Sequence, residues 1–221
     1  MRELDVDRKW ITKKVASLFS KIIGDSIKGV LNGGKSFESY IHKMNNVIAK
    51  NNKPIVWQTS DGFEVVHVKN KELKAKQINC HLPGARRKTT ITKKVYSDKV
   101  SPVKMKSAIA PNYIHSLDAE LLRRVALKMF KAGIKDSDWI HDSFGCHPNY
   151  VDQMLEITKS EFIKLVRRDP LLELDKELRD QAPRDKNSQK TLTAIKLPKV
   201  RGFARKGPEL NLVKESEWFF S

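Results

Sequence analysis

The apolar positions of this chain recur with two spacings. Ile11, Val15, Leu18, Phe19, Ile22, Ile23 and Ile27 lie mostly three or four residues apart with lysines between them, which predicts an amphipathic helix over residues 5–31. Asn32-Gly33-Gly34 is its expected stop. Phe37, Tyr40, Ile41, Met44, Val47 and Ile48 predict a second helix over 36–50, with Ser36 as N-cap and Asn51-Asn52-Lys53-Pro54 as its end. The pattern then shortens. Ile55-Val56-Trp57 and Phe63-Glu64-Val65-Val66-His67-Val68 flank Ser60-Asp61-Gly62, a hairpin signature in which Asp61 is a turn residue. Thr89, Thr90, Ile91, Val95 and Tyr96 indicate further strands.

In the second half, Ala110-Pro111-Asn112-Tyr113-Ile114-His115-Ser116-Leu117-Asp118 reads as a turn entering a helix that runs to about Ala132. Ser116 is the expected N-cap, Asp118 and Glu120 suit the first turn, and Gly133 ends the helix. Trp139-Ile140-His141-Asp142-Ser143-Phe144-Gly145-Cys146-His147 reads as strand, tight turn and strand, with Asp142-Ser143 as the turn. A helix over 151–167 is packed by Met154, Leu155, Ile157, Thr158, Phe162 and Leu165 and broken at Asp169-Pro170. Leu171 to Leu178 forms a short helix. Residues 179–208, polar and rich in Lys, Arg and Pro, are expected to be a long exposed loop or mobile segment. The apolar residues at the very end argue against a frayed tail. These elements place the chain in the α+β class, mostly helical with a β-hairpin.

Composition narrows the function classes. A net charge of +17 and a pI near 9.8 point to a polyanion, most simply nucleic acid. The strongest runs are Arg86-Arg87-Lys88 and Lys93-Lys94 within the basic stretch 69–107. That stretch suits either solvated loops or a surface tracking a phosphate backbone. Hydrophobic content of 39% supports a packed core. Cys80 and Cys146 make neither a disulfide framework nor a metal-ligand spacing. No apolar run has the length of a membrane span. The start, Met1-Arg2-Glu3-Leu4-Asp5, resembles neither a signal nor a transit peptide, so a cytoplasmic location is expected.

Chemistry is best sought at the hairpin over 139–147. An Asp at the tip of a two-stranded turn has a fixed position and a hard oxygen donor, as a divalent cation such as Mg²⁺ requires. Asp-Ser is also an ordinary turn pair, and on that ground alone a structural hairpin is the simpler reading. His141 precedes the carboxylate directly, so strand alternation sends the two side chains to opposite faces.

Together, Pro111-Asn112-x-x-His115-Ser116-x-Asp118, a helix, and His141-Asp142-Ser143-Phe144-Gly145 resemble the C-terminal part of the phage-type single-subunit RNA polymerases, mitochondrial ones included. Trp57-Gln58-Thr59-Ser60-Asp61-Gly62-Phe63 resembles that family's Trp-x-Thr-x-Asp-Gly-Phe turn. Trp218-Phe219-Phe220-Ser221 is similar to its aromatic C-terminus, which folds back toward the active site. The resemblance implies nucleotidyl transfer at two Mg²⁺ ions, with Asp142 a metal ligand and His141 beside it near the primer end. It also implies that His115 faces the template–product duplex, with Asn112 and the basic run Arg86, Arg87 and Lys88 as further nucleic-acid contacts. DNA template, RNA product and nucleoside triphosphates are the implied partners. Residues 1–115 would be a partial fingers region, and 116–221 a partial palm with the catalytic hairpin and the C-terminal tail.

The departures from that pattern are equally informative. The family's other metal-binding Asp and the fingers helix bearing its nucleotide-binding Arg, Lys and Tyr have no counterpart here. A split active site is expected, with a partner chain supplying them. A natural small subunit of a divided polymerase, of viral origin and acting in a host cytoplasm, is expected; a truncated or excised fragment is the alternative. The chain is not expected to act alone and should expose apolar surface when isolated. Two other readings are open. One is a family A DNA polymerase fragment, although such proteins usually carry His-Asp-Glu at the hairpin. The other is a non-catalytic, basic nucleic-acid-binding subunit.

Overall fold

Helix α1 spans Asn32–Ile48 and is continued by a 3-10 turn over Ala49–Asn51. The computed structural model describes residues 17–18, 20–22, 32–73, 75–80, 83, 89–141, 143–198 and 209–216. Of the helix expected over 5–31, residues 17, 18 and 20–22 are helical and the rest lies outside the described residues. Two expectations for α1 need correction. Gly33 and Gly34 lie inside its first turn rather than beyond a preceding helix, and Ser36 sits one turn within it and is not the cap. The stripe Tyr40, Ile41, Met44, Val47 and Ile48 is buried, so packing outweighs the poor helix propensity of the two glycines. Asn52 ends the turn in the left-handed region, and its Oδ1 accepts a 2.6 Å hydrogen bond from the Val100 amide.

Four separate two-stranded antiparallel sheets follow. β1, Ile55–Gln58, pairs with β2, Glu64–His67, and the alternation buries Ile55, Trp57 and His67. Their turn closes with the Gly62 amide donating to the Thr59 carbonyl at 2.9 Å, and φ of +88° at Gly62 explains the glycine. β3, Asn70–Glu72, pairs with β6, Tyr96–Val100. β4, Lys76–Cys80, pairs with β5, Thr89–Lys93, as a solvent-facing ribbon.

α2 is the long element, 30 residues from Pro102 to Lys131. Ser101 is its N-cap and Pro102 occupies the first turn. The expected turn at Pro111 and N-cap at Ser116 are therefore corrected: both residues lie inside the helix. Pro111 removes one amide donor, but Met105 and Ile109 before it and Tyr113 after it are all buried on one face. That shared packing carries the helix through. Ser116 instead donates to the Tyr113 carbonyl at 2.6 Å. The end at Gly133, φ +84°, is as expected, with the Ile134 amide reaching back to the Met129 carbonyl.

β7, Ser137–Ile140, and β8, Ser143–Cys146, form the hairpin after α2. α3 spans Val151–Arg167, and α4 spans Pro170–Asp180 behind an Asp169 N-cap. The loop expected over 179–208 is corrected in its first part. α5, Lys186–Ala194, is capped by Asp185, and Ala182, Leu192 and Ile195 are buried. Arg179 ties the end of α5 back by donating to the Leu192 and Ile195 carbonyls at 3.1 and 2.8 Å. Residues 199–208 lie outside the described ones. α6, Glu209–Glu215, closes the described chain.

Two apolar clusters result. The first joins α1, β1, the N-terminal half of α2, α4 and the α5 segment around Ile41, Met44, Ile55, Met105, Ile109 and Leu178. The second joins the C-terminal half of α2 to the β7–β8 hairpin and α3 around Leu121, Val125, Met129 and Ile134. α2 serves both, and the change from one to the other falls between Leu117 and Leu121.

Candidate active site

The hairpin's geometry follows from its alternation. Trp139 pairs with Phe144, and Ile140 with Ser143. The Trp139 and Phe144 rings lie 5.0 Å apart and face the second cluster. The Trp139 indole also donates to the Ser137 hydroxyl at 3.0 Å. Ile140, out of phase with them, is 59% exposed. Because Ser143 already pairs, the link consists of His141 and Asp142; Ser143 begins β8 and does not belong to the turn, contrary to expectation. His141 is exposed and left-handed, φ +55°, a conformation costly for most non-glycine residues. Asp142 lies outside the described residues, as do Arg86, Arg87 and Lys88, between β4 and β5 in sequence, and Trp218, Phe219, Phe220 and Ser221.

His115 stands exposed on α2. Asn112, one turn before it and half-buried, gives its amide to a partner inside the protein: Nδ2 lies 2.8 Å from His67 Nδ1. The His67 ring is 1% exposed, and its Nε2 is 3.0 Å from the Met105 carbonyl. An amide donor on Nδ1 and a carbonyl acceptor at Nε2 together select the neutral Nε2–H tautomer. Burial pushes the His67 pKa down, Lys69 adds to this, and the bond to Met105 opposes it.

His67 belongs to a larger clasp in which the β1–β2 hairpin holds one face of α2. The Trp57 indole donates to Ser116 Oγ at 3.0 Å. The Ser60 amide donates to Glu120 Oε2 at 3.2 Å, and the Ser60 hydroxyl donates to Oε1. Arg123 binds Asp61 through two nitrogens, reaches Thr59 Oγ1 at 3.2 Å, and lies 4.7 Å from the centre of the Phe63 ring. The Arg123 guanidinium brings the Asp61 pKa down to about 2. Asp61 is thus committed to a structural bond. Glu120 also accepts from Arg124 at 3.0 Å, and Arg124 reaches Glu161 at 3.4 Å.

Of the clasp, Asn112 and Ser116 belong to the motif read from the sequence, whereas Glu120, Arg123, Arg124 and His67 do not stand out there as site residues. The one legible signal was alternation, which places His67 on the same strand face as Val65. At the far end, the buried Lys159 donates to the Lys214 carbonyl at 3.2 Å and fastens α6, which precedes Trp218, to α3.

The buried His67 predicts a pH dependence. A folded pKa below the unfolded value means that stability is complete above the unfolded value near 6.5 and is lost as pH falls from there. The loss is bounded at about 1.4 kcal/mol per pH unit, the limit for one proton. Melts of the protein at pH 7.5 and 5.5 should differ more than those of His67→Gln. Parallel profiles would exclude His67 as the source.

The family model for DNA-dependent RNA polymerase matches residues 1–221. The chain belongs to the DNA-dependent RNA polymerase family. Among its relatives are DNA-directed RNA polymerase 1, mitochondrial, of Arabidopsis thaliana, 29% identical over 91% of this chain and 19% of that protein, and DNA-directed RNA polymerase, mitochondrial, of Mus musculus, 25% identical over 89% of this chain and 16% of that protein. DNA-directed RNA polymerase 3, chloroplastic, of Nicotiana sylvestris is 31% identical over 79% of this chain and 16% of that protein. The chain spans less than a fifth of the length of each of these three polymerases. The phage-type resemblance read from the motifs is thereby borne out, and a DNA polymerase fragment is not favoured.

Other expectations meet the polymerase chain only in part. Among the described residues no helix is long and apolar enough to cross a membrane. The organelle names belong to the relatives and assign no compartment here. Among the described residues no group of three or more His, Cys, Asp or Glu side chains could hold a metal ion. Asp138, near the hairpin tip, turns its Oδ1 to the Trp139 amide at 2.9 Å. The described part of this chain therefore does not compose a divalent-cation site by itself.

Proposed function

We propose that this chain forms part of the nucleotidyl-transfer site of a DNA-dependent RNA polymerase. In this reading Asp142 is the one carboxylate it brings to a Mg²⁺ site, and His141 lies beside it. A partner segment supplies the second metal-binding Asp and the Lys, Arg and Tyr that hold the incoming nucleotide. The observation that carries the reading is the two-residue β7–β8 link, braced by Trp139 and Phe144 against α2, the helix that also bears Asn112 and His115. A divalent ion would neutralise developing charge on the phosphate oxygens. The chain's own residues would hold a carboxylate still at the hairpin tip and present His115 to a template–product duplex.

The clasp refines the role of Asn112. Its amide is engaged by His67, so it serves to hold α2, and exposed His115 is the nucleic-acid contact. Arg86, Arg87 and Lys88, between β4 and β5 in sequence, would contact phosphates, and Trp218 to Ser221 would lie near the site. We assign residues 1–115 to a partial fingers region and 116–221 to a partial palm, joined through α2. Val103, Phe130 and Ile140 are more than half exposed, which suits a chain that completes its site with another.

The test is RNA synthesis from nucleoside triphosphates on a primed DNA template with Mg²⁺, using the chain alone and with its complementing segment. Activity in the mixture alone is expected. Activity of this chain by itself would mean that the second carboxylate lies within it.

A further inference from the structure

Away from the hairpin, a groove of about 470 Å³ runs between α1 and the segment after α5. Its walls are Lys35, Ser36, Ser39 and Lys43 on one side and Lys196 with Leu197 and Pro198 on the other. Three lysines thus line the groove from elements more than 150 positions apart in sequence. Among the described residues no carboxylate lines the groove or pairs with these lysines. Tyr40 also contributes to the lining, but its hydroxyl is turned to Asp175, donating at 2.6 Å. The first turn of α1 carries no acidic residue, so its amide dipoles are not offset there.

We propose that this groove is a binding site for phosphate oxyanions. The chemistry is explicit: three point-charge cations and, among the described residues, no competing carboxylate. The phosphates could be those of a nucleic-acid strand or of a free triphosphate, and the two sources are separable. The groove is independent of the nucleotidyl-transfer reading, since neither Asp142 nor the clasp enters it.

The experiment compares two triple variants of the full chain with equal loss of charge. One is Lys35→Gln, Lys43→Gln and Lys196→Gln. The other, a control elsewhere on the surface, is Lys53→Gln, Lys131→Gln and Lys176→Gln. Binding of a labelled single-stranded RNA is titrated at several salt concentrations, and binding of inorganic triphosphate is measured by calorimetry. Each phosphate neutralised contributes about 0.7 to the slope of log affinity against log salt for a single strand, so the groove variant should lose about 2 from that slope while the control keeps it. That result identifies the strand as the source. An unchanged strand slope with triphosphate affinity lost only in the groove variant identifies free phosphate chains. If the two variants behave alike in both assays, the groove is not a phosphate site. The readout is binding, so a failed synthesis assay would leave this test unaffected.

Discussion

Replacing Asp142 with alanine is expected to abolish RNA synthesis by the complemented polymerase while leaving its assembly and melting temperature unchanged. The β7–β8 hairpin is held by Trp139, Phe144 and a register of four pairs over 137–140 and 143–146. Removing one anionic oxygen donor from a divalent-cation site withdraws several kcal/mol of charge stabilisation. About 4 kcal/mol corresponds to a rate loss of about 10³-fold. Asp142→Asn keeps the shape and removes the charge, so it should fall nearly as far. Single-turnover synthesis on a primed template, with binding of the same template measured in parallel, separates the cases. Full synthesis by the Asp142→Ala mixture would move the chemistry to the partner and leave this chain as a nucleic-acid-binding subunit.

Glu120→Ala should have the largest effect on stability. Glu120 is 2% exposed and gathers the Ser60 amide and hydroxyl, Arg124, and Arg168 at 3.6 Å. Truncation leaves two guanidinium groups without that carboxylate, a situation that costs about 3–5 kcal/mol when the partners are buried. Arg124 and Arg168 are partly exposed and keep Glu161 and Glu173, which places the expected loss toward 3 kcal/mol. Glu120→Gln retains an acceptor and should lose less. Urea denaturation measures both. A Glu120→Ala midpoint equal to that of the parent would show that the network contributes specificity of packing and little stability.

The elements that sequence reading placed well are those in which local chemistry and tertiary packing agree. The β1–β2 hairpin follows from Asp61-Gly62 between alternating strands, and α3 from its apolar stripe up to Asp169-Pro170. The misplaced ones are those in which packing overrules a local signal. Pro111 reads as a boundary, yet Met105, Ile109 and Tyr113 share one buried face across it. α5 was invisible because a single buried residue within it, Leu192, is apolar; its docking depends on Ile195 and on Arg179 from the preceding helix. At the site, the hairpin and His115 were legible as motifs. The clasp was not. Glu120 reads as an ordinary first-turn acid, and His67 as one more strand residue. What makes them a unit is distance in three dimensions, with partners 38 to 64 positions away in sequence.

The continuity of α2 has a mechanical side. Thirty helical residues make a rod of about 45 Å. One end is gripped by α1 and β1, and the other carries the hairpin. Clasp bonds from Met105 to Arg124 prevent the rod from spinning about its axis. A tilt imposed at the first cluster would therefore arrive at the hairpin tip as a displacement rather than being absorbed on the way. The long helix thus links the first cluster to the hairpin as one continuous element.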